Sequence, residues 1–290
     1  MIMPEPPATL IQACVRHDPK GRAIPLVCDS PHSGTVYPAD FRSAVPLVQL
    51  RQGEDTHVDV LWQQAPEVGA TLIAACFPRT YIDPNRTLAD LDPDLIEGEW
   101  PEPLAPGVKT RLGKGLIWSR LGPQTPIYER RLTVAEIQAR IQDYYQPYHR
   151  ALNEVVQARY QAFGTLWHLN LHSMPNDAYA RLGMDPRREL ADFVLGDRDG
   201  TTCEPAFVGL IEAYLLDHGY TVARNDPYKG VQLIAQIGQP AQHRHSLQVE
   251  IRRPVYMDEI TREPNEGFAR LQADLGGLLQ EVAQYVNARL

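Results

Sequence analysis

Residues 24–34 read IPLVCDSPHSG, a short continuous apolar run, Ile24–Cys28, that stops at a polar turn carrying His32. Such a run, with branched residues and no polar alternation, is the pattern of a strand buried on both faces. Thr71–Cys76 (TLIAAC) repeats it, and Thr165–Leu171 (TLWHLNL) and Ser246–Ile251 (SLQVEI) supply two further candidates. Tyr220–Ala223 and Val231–Ile237 also read as strands. Helical segments alternate with them, from about Asp55 to Val68 and from Pro205 to His218. Strands separated by helices predict an α/β fold built on a mostly parallel sheet.

Two longer helices stand outside this alternation. Thr133-Val-Ala-Glu136 is a capping box, in which hydroxyl and carboxylate satisfy the free amide donors of a helix start. Val134, Ile137, Ile141, Tyr144, Tyr148, Leu152, Val155 and Val156 then recur at helical spacing. Pro147 is expected to kink or interrupt this helix, because it lacks the amide donor. Residues 265–288 repeat the pattern with Phe268, Leu271, Leu275, Leu278, Val282 and Val286. Both helices read as packing elements. Residues 90–124 are rich in proline, glycine and charge and read as a surface insertion within one domain spanning residues 1–290. Long ordered insertions often serve as lids.

Composition bounds the function. With 290 residues, 43% hydrophobic and 22% charged, the chain has the balance of an ordinary globular protein. A net charge of −8 argues against binding a nucleic-acid backbone. There is no apolar run of about 18 residues, so no membrane span is expected. Glu5, Arg16, His17, Asp18 and Lys20 interrupt the first twenty residues, which therefore do not read as a signal peptide. Cys14, Cys28, Cys76 and Cys203 have no paired spacing and read as free thiols. A reduced, cytoplasmic protein is the simplest expectation.

The chemistry concentrates at strand ends. His32 follows the first strand and His172 follows the third in the same way, as NLHSMP. Loops at the carboxyl ends of parallel strands are where open α/β sheets bind ligands. Two imidazoles and one carboxylate form the ligand set of a catalytic zinc that keeps one position open. The acid-rich stretch Glu54–Asp55, with Asp59 beyond it, offers the carboxylate, although acids at a helix start are also explained by the helix dipole. Glu250 interrupts an apolar strand, where an unpaired carboxylate is costly to bury. Either it pairs with a neighbour such as Arg252 or it opens into a polar site. His168, four residues before His172 and deeper in the strand, reads as structural, and most of the six other histidines read as surface or structural.

Cations follow two other strands. Arg79-Thr-Tyr-Ile-Asp83-Pro-Asn85-Arg86 succeeds Thr71–Cys76, and a guanidinium beside an amide suits a carboxylate clamp. Asn225-Asp-Pro-Tyr228-Lys229-Gly230 is a turn that presents a lysine and a tyrosine to an anion.

Taken together, DSPHSG, EDTHVD, RTYIDPNR, LHSMP, LGDRDGTTC, NDPYKG and LQVEIRRPVYM occur in an order that resembles the N-formylglutamate amidohydrolase (N-formylglutamate deformylase) family, from about residue 24 to about residue 258. The family is similar in fold to the zinc carboxypeptidases, which implies a single α/β domain with a mixed, mostly parallel sheet flanked by helices. The resemblance implies His32 and His172 as metal ligands, with Asp55 preferred over Glu54 as the third. The position three residues after His32 is Thr35, a departure from zinc-carboxypeptidase spacing that leaves the third ligand the least fixed. It further implies Glu250 as the general base and Asn85–Arg86 as the carboxylate clamp. On mechanistic grounds, Lys229 is a candidate for a further carboxylate contact and Arg79 for a position beside the developing oxyanion. One Zn2+ per chain is expected, with other divalent ions as substitutes.

The implied reaction is hydrolysis of N-formyl-L-glutamate to formate and L-glutamate, which in the family serves histidine breakdown. The expected partner is a small N-acyl amino acid, with no nucleic acid and no membrane. Two alternatives stay open. One is the same chemistry on another N-acyl amino acid or on a carboxypeptidase-like peptide substrate. The other is a non-catalytic binding protein on the same scaffold.

Overall fold

The runs at Ile24–Cys28, Thr71–Cys76, Thr165–Leu171 and Ser246–Ile251 all contribute strands to one eight-stranded sheet in the structure, a computed structural model that describes residues 9–11 and 13–290. Part of the amino-terminal stretch read for a signal peptide lies outside the described residues. The strands are β1 (Thr9–Ile11), β2 (Cys14–His17), β3 (Leu26–Ser30), β4 (Thr71–Ala75), β5 (Leu166–Met174), β6 (Phe193–Gly196), β7 (Val222–Arg224) and β8 (Arg244–Arg252). Their spatial order is β1-β2-β4-β3-β5-β8-β6-β7. The pairs β4/β3, β3/β5, β5/β8 and β6/β7 are parallel, while β1/β2, β2/β4 and β8/β6 are antiparallel. The sheet is therefore mixed and mostly parallel, with helices on both faces.

The two central strands show why the site forms where it does. Side chains alternate across a strand, so residues i, i+2 and i+4 share a face. On one face, Trp167, Leu169 and Leu171 of β5 join Leu247, Val249 and Ile251 of β8 in a buried core. That core is sealed by the helix Pro205–Asp217 and by the carboxyl-terminal helix Phe268–Asn287, through Phe207, Ile211, Leu271, Leu275 and Leu278. Each fully buried leucine contributes roughly 1.5–3 kcal/mol. The opposite face carries His168, Asn170 and His172 beside Ser246, Gln248 and Glu250, paired rung by rung. A polar ladder thus runs up the middle of the sheet. It ends in the site.

The helix opened by the Thr133–Glu136 capping box covers that second face. Val134–Arg140 passes through a π-helical turn, Ile141–Tyr145, into Gln146–Phe163. The interruption expected at Pro147 takes the form of this turn. Widening the helix just before the proline absorbs the missing amide donor without ending the helix. Tyr148, Leu152, Val155 and Val156 then pack into the second core.

Two other expectations are corrected. The helix predicted across residues 55–68 is only a four-residue helical turn, Val58–Leu61, and a 3-10 turn, Ala65–Val68. His57 precedes the first with a left-handed φ of 68°, and Pro66 limits the second. The segment Val231–Ile237, expected as a strand, is the helix Gln232–Ile237. Its buried residues Leu233, Ile234 and Ile237 lie on one helical face, a spacing that branched side chains had disguised. Residues 90–124 contribute Leu91, Leu95, Leu116, Ile117 and Trp118 to the second core. No helix among the described residues is long and apolar enough to cross a membrane.

Candidate active site

The loop after β3 is held by a close backbone approach. A Cβ on Gly34 would stand 2.3 Å from the carbonyl oxygen of Phe77, so only glycine lets DSPHSG lie against the end of β4. That seat aims the buried His32 inward, and its carbonyl accepts from the Asp55 amide at 2.9 Å. One backbone bond thus brings the acid-bearing loop to the first histidine. His172 rises beside it from the end of β5, its ring centroid 4.7 Å from that of His32.

The three side chains aim at one point. Asp55 Oδ2 lies 3.3 Å from His32 Nδ1 and 3.2 Å from His172 Nδ1, and all three residues are buried. Each imidazole is anchored through its other nitrogen. His32 Nε2 donates to Asp83 Oδ1 at 2.8 Å, and His172 Nε2 donates to the Asn170 side-chain oxygen at 2.7 Å. Protons on both Nε2 atoms leave both Nδ1 lone pairs free, the orientation in which histidine ligates a metal. Among the described residues, His32 Nδ1 has no hydrogen-bond partner although it is buried. An unsatisfied buried nitrogen costs about 1–3 kcal/mol, which a bound cation would offset. This donor set fits a divalent metal ion.

Further contacts fix the acids. Asp83 Oδ2 accepts from Arg79 at 2.8 Å and from the Trp118 indole at 3.2 Å. Asp55 Oδ1 accepts from Arg253 at 3.1 Å, and Arg253 also donates to the Glu54 carbonyl at 2.6 Å. Burial alone would raise the Asp55 carboxyl, but His172 and His32 hold it well below the usual carboxylate range. The Glu54 carboxylate turns the other way, to Tyr37 at 2.8 Å and Thr56 at 2.9 Å.

Glu250 stands across the strand pair from His172 and is held by Gln248 at 2.9 Å. Burial pushes its carboxyl up to about 7, against the lowering effect of His172 and with Asp55 adding to the rise. A carboxyl poised there can both accept and return a proton near neutrality. Arg252, the suggested partner, instead pairs with Asp192 at 2.5 Å, so Glu250 opens into the polar site. The cavity at the cluster has a volume of about 310 Å³ and is lined by His32, Asp55, His172 and Glu250. Arg79, Arg86, Lys109, Lys114 and Arg253 are among the cations that also line it. The site combines a cluster of three side chains that could hold a metal ion, a poised carboxylate and a cationic cavity.

The model of the N-formylglutamate amidohydrolase family matches residues 24–257. The chain belongs to this family. Among relatives, an N-formylglutamate deformylase of Pseudomonas aeruginosa is 31% identical over 244 residues, covering 83% of this chain and 84% of the relative. An N-formylglutamate deformylase of Pseudomonas putida is 27% identical over 246 residues, covering 81% and 83%. The crystal structure of an N-formylglutamate amidohydrolase from Ralstonia eutropha JMP134 superposes with a TM-score of 0.95 at 65% identity, covering 97% of this chain and all of that one. A gene product of Agrobacterium tumefaciens shares the fold, with a TM-score of 0.64 at 19% identity, covering 96% and 95%.

In this amidohydrolase-family chain, the structure brings His32, Asp55, His172 and Glu250 to one place. Arg79 lines the cavity with its Nε and one terminal nitrogen on Asp83. Arg86 donates to the carbonyls of Lys114 and Asn85, and its second terminal nitrogen stands 3.8 Å from Asp83. Asn85 is committed within the protein: its oxygen accepts from the Leu233 amide at 3.0 Å and its nitrogen lies 3.2 Å from His172 Nε2. Lys229 borders the cavity, but its ammonium forms an exposed pair with Asp199 at 2.8 Å.

Five further residues enter the site without having been singled out for it. Asp83 and Asn170 anchor the imidazoles, Arg253 fixes Asp55, and Lys109 and Lys114 charge the cavity wall. Asn170 was visible as the residue between two strand histidines at period two. The others reach the site through long-range packing and carry no local signal.

Proposed function

We propose that this protein hydrolyses N-formyl-L-glutamate to formate and L-glutamate with the help of one divalent metal ion. The observation that carries the reading is the convergence of His32 Nδ1, His172 Nδ1 and Asp55 Oδ2, with Glu250 beside them. Two imidazoles and one carboxylate suit zinc, which when bound supplies Lewis acidity toward a carbonyl and acidifies a water molecule.

The protein's own groups then have defined tasks. Glu250 takes a proton from the attacking water as its oxygen bonds to the formyl carbon. The carbon–nitrogen bond breaks, and Glu250 passes that proton to the departing amine of glutamate. Arg79, held in place by Asp83, faces the cavity as a fixed positive charge near the oxygen that gains charge during attack. Arg86 supplies a guanidinium for the α-carboxylate. A formyl group needs little room, so the cavity serves mainly the amino-acid half.

The deformylase names of the two Pseudomonas relatives, and the 65% identity to the Ralstonia protein, support this choice of substrate. The test is formate release by the purified, metal-loaded protein from a panel of N-acyl amino acids. N-formyl-L-glutamate is expected to give the highest kcat/KM. A higher value for an N-acetyl or peptide substrate would replace this reading with a different hydrolase.

A further inference from the structure

The cavity is more cationic than its visible counter-charges require. Among the cations on its walls, Arg79 pairs with Asp83, Arg253 with Asp55, Arg181 with Asp177 and Lys229 with Asp199. Among the described residues, Lys109 and Lys114 have no anionic partner within ion-pair distance. Their side chains meet aromatic rings instead: the Lys109 ammonium is 5.4 Å from the Tyr228 ring centroid and that of Lys114 is 5.5 Å from Trp118. Both lysines are half-buried, where an uncompensated charge is disfavoured by lost hydration. Two such charges lining one cavity, in a chain of net charge −8, need an explanation outside the protein's own pairing.

The backbone holds the two lysines as a unit. Lys109 lies in the short helix Val108–Arg111, and the Lys114 amide donates to the Lys109 carbonyl at 2.8 Å. The Lys114 carbonyl in turn accepts from Arg86 Nε at 3.0 Å, which joins the pair to the guanidinium assigned to the α-carboxylate. Burial, then Arg86 and Arg79, push the Lys109 ammonium down to about 8. Burial, then Lys109 and Arg181, do the same to Lys114. An anion between them would relieve the like-charge repulsion and return both to full protonation.

We infer that Lys109 and Lys114 form the binding site for the second carboxylate of the substrate and so determine the preference for acidic N-acyl amino acids. The inference rests on the proposed deformylase reading and extends it, by assigning the α-carboxylate and the side-chain carboxylate to different residues. Arg86 serves the first. Lys109 and Lys114 serve the second.

The experiment compares N-formyl-L-glutamate with its neutral near-isostere N-formyl-L-glutamine, using the full-length metal-loaded protein and its Lys109→Met, Lys114→Met and doubly substituted variants. Charge-assisted contacts predict that the wild type prefers the acid by about thirtyfold or more in kcat/KM, chiefly through KM. That preference should shrink in each single variant and fall to within about threefold in the double variant. Lys→Arg replacements should restore part of it, which separates loss of charge from damage to the fold. An unchanged preference in the double variant, with the wild type active on N-formylglutamate, would overturn the inference and leave the deformylase reading intact. Should the wild type release no formate from N-formylglutamate, that reading fails, and calorimetric binding of glutarate against glutaramate decides the lysine pair separately. A lysine-dependent preference for glutarate upholds the inference, and equal binding in wild type and double variant refutes it.

Discussion

Glu250 and His172 are register partners on adjacent parallel strands, so the carboxyl and the imidazole rise from the same sheet face. This geometry separates two tasks. His172 turns its Nδ1 toward Asp55 and His32, whereas Glu250 is held by Gln248 at the cavity side. Glu250→Gln keeps the shape and the hydrogen-bonding capacity but removes the carboxylate proposed as the proton acceptor. It should retain about one metal ion per chain, read by elemental analysis, while kcat falls by about 10²–10⁴. Near-normal kcat in that variant would exclude Glu250 as the base.

The residues behind the imidazoles should tune metal affinity. Asp83 fixes His32 and Asn170 fixes His172. Asp83→Asn and Asn170→Ala are each expected to weaken metal binding by about 10–100-fold. Competition with a coloured chelator measures this without reference to turnover. Wild-type affinity in both would mean that the imidazoles need no such support.

Alkaline pH should weaken substrate capture. Burial, then Arg86 and Arg79, depress Lys109 to about 8, with Glu250 and Asp83 acting in the opposite direction, while Tyr228 lies against its ammonium. The charge is present below that value and is lost as pH rises through it. Because kcat/KM reports the free enzyme, it should decline for N-formylglutamate with an apparent pKa near 8. The same limb should be shallower for N-formylglutamine, and superimposable pH profiles would contradict this assignment.

Gly34 should tolerate no side chain. The Cβ of Gly34→Ala would meet the Phe77 carbonyl oxygen at 2.3 Å, so the loop or the end of β4 must move. Overpacking of this kind costs about 1–3 kcal/mol. Chemical denaturation should show the loss together with weakened metal binding, since His32 lies two residues away.

Much of this architecture was legible along the chain because buried strands announce themselves as short apolar runs. β3, β4, β5 and β8 fall within a few residues of IPLVC, TLIAAC, TLWHLNL and SLQVEI. His32, His172 and Glu250 stood out because each breaks or ends such a run. The segment Val231–Ile237 misled because its branched residues outweighed a helical spacing of only one and a half turns. Glu54 and Asp55 are adjacent acids with the same local surroundings. What separates them is tertiary: the Asp55 amide bonds to His32, and Arg253, some two hundred residues away, holds its carboxylate. Lys109 and Lys114 were hidden for the same reason, in a stretch whose composition suggested only surface.

The central claim is that His32, Asp55 and His172 hold the ion on which hydrolysis depends. Its most direct test is zinc titration of chelator-stripped protein while formate release from N-formyl-L-glutamate is followed. Activity should be absent at the start, rise linearly and saturate at one ion per chain, and His172→Ala should give no such rise. Full turnover by metal-free protein, or an unaltered titration in His172→Ala, would contradict the account.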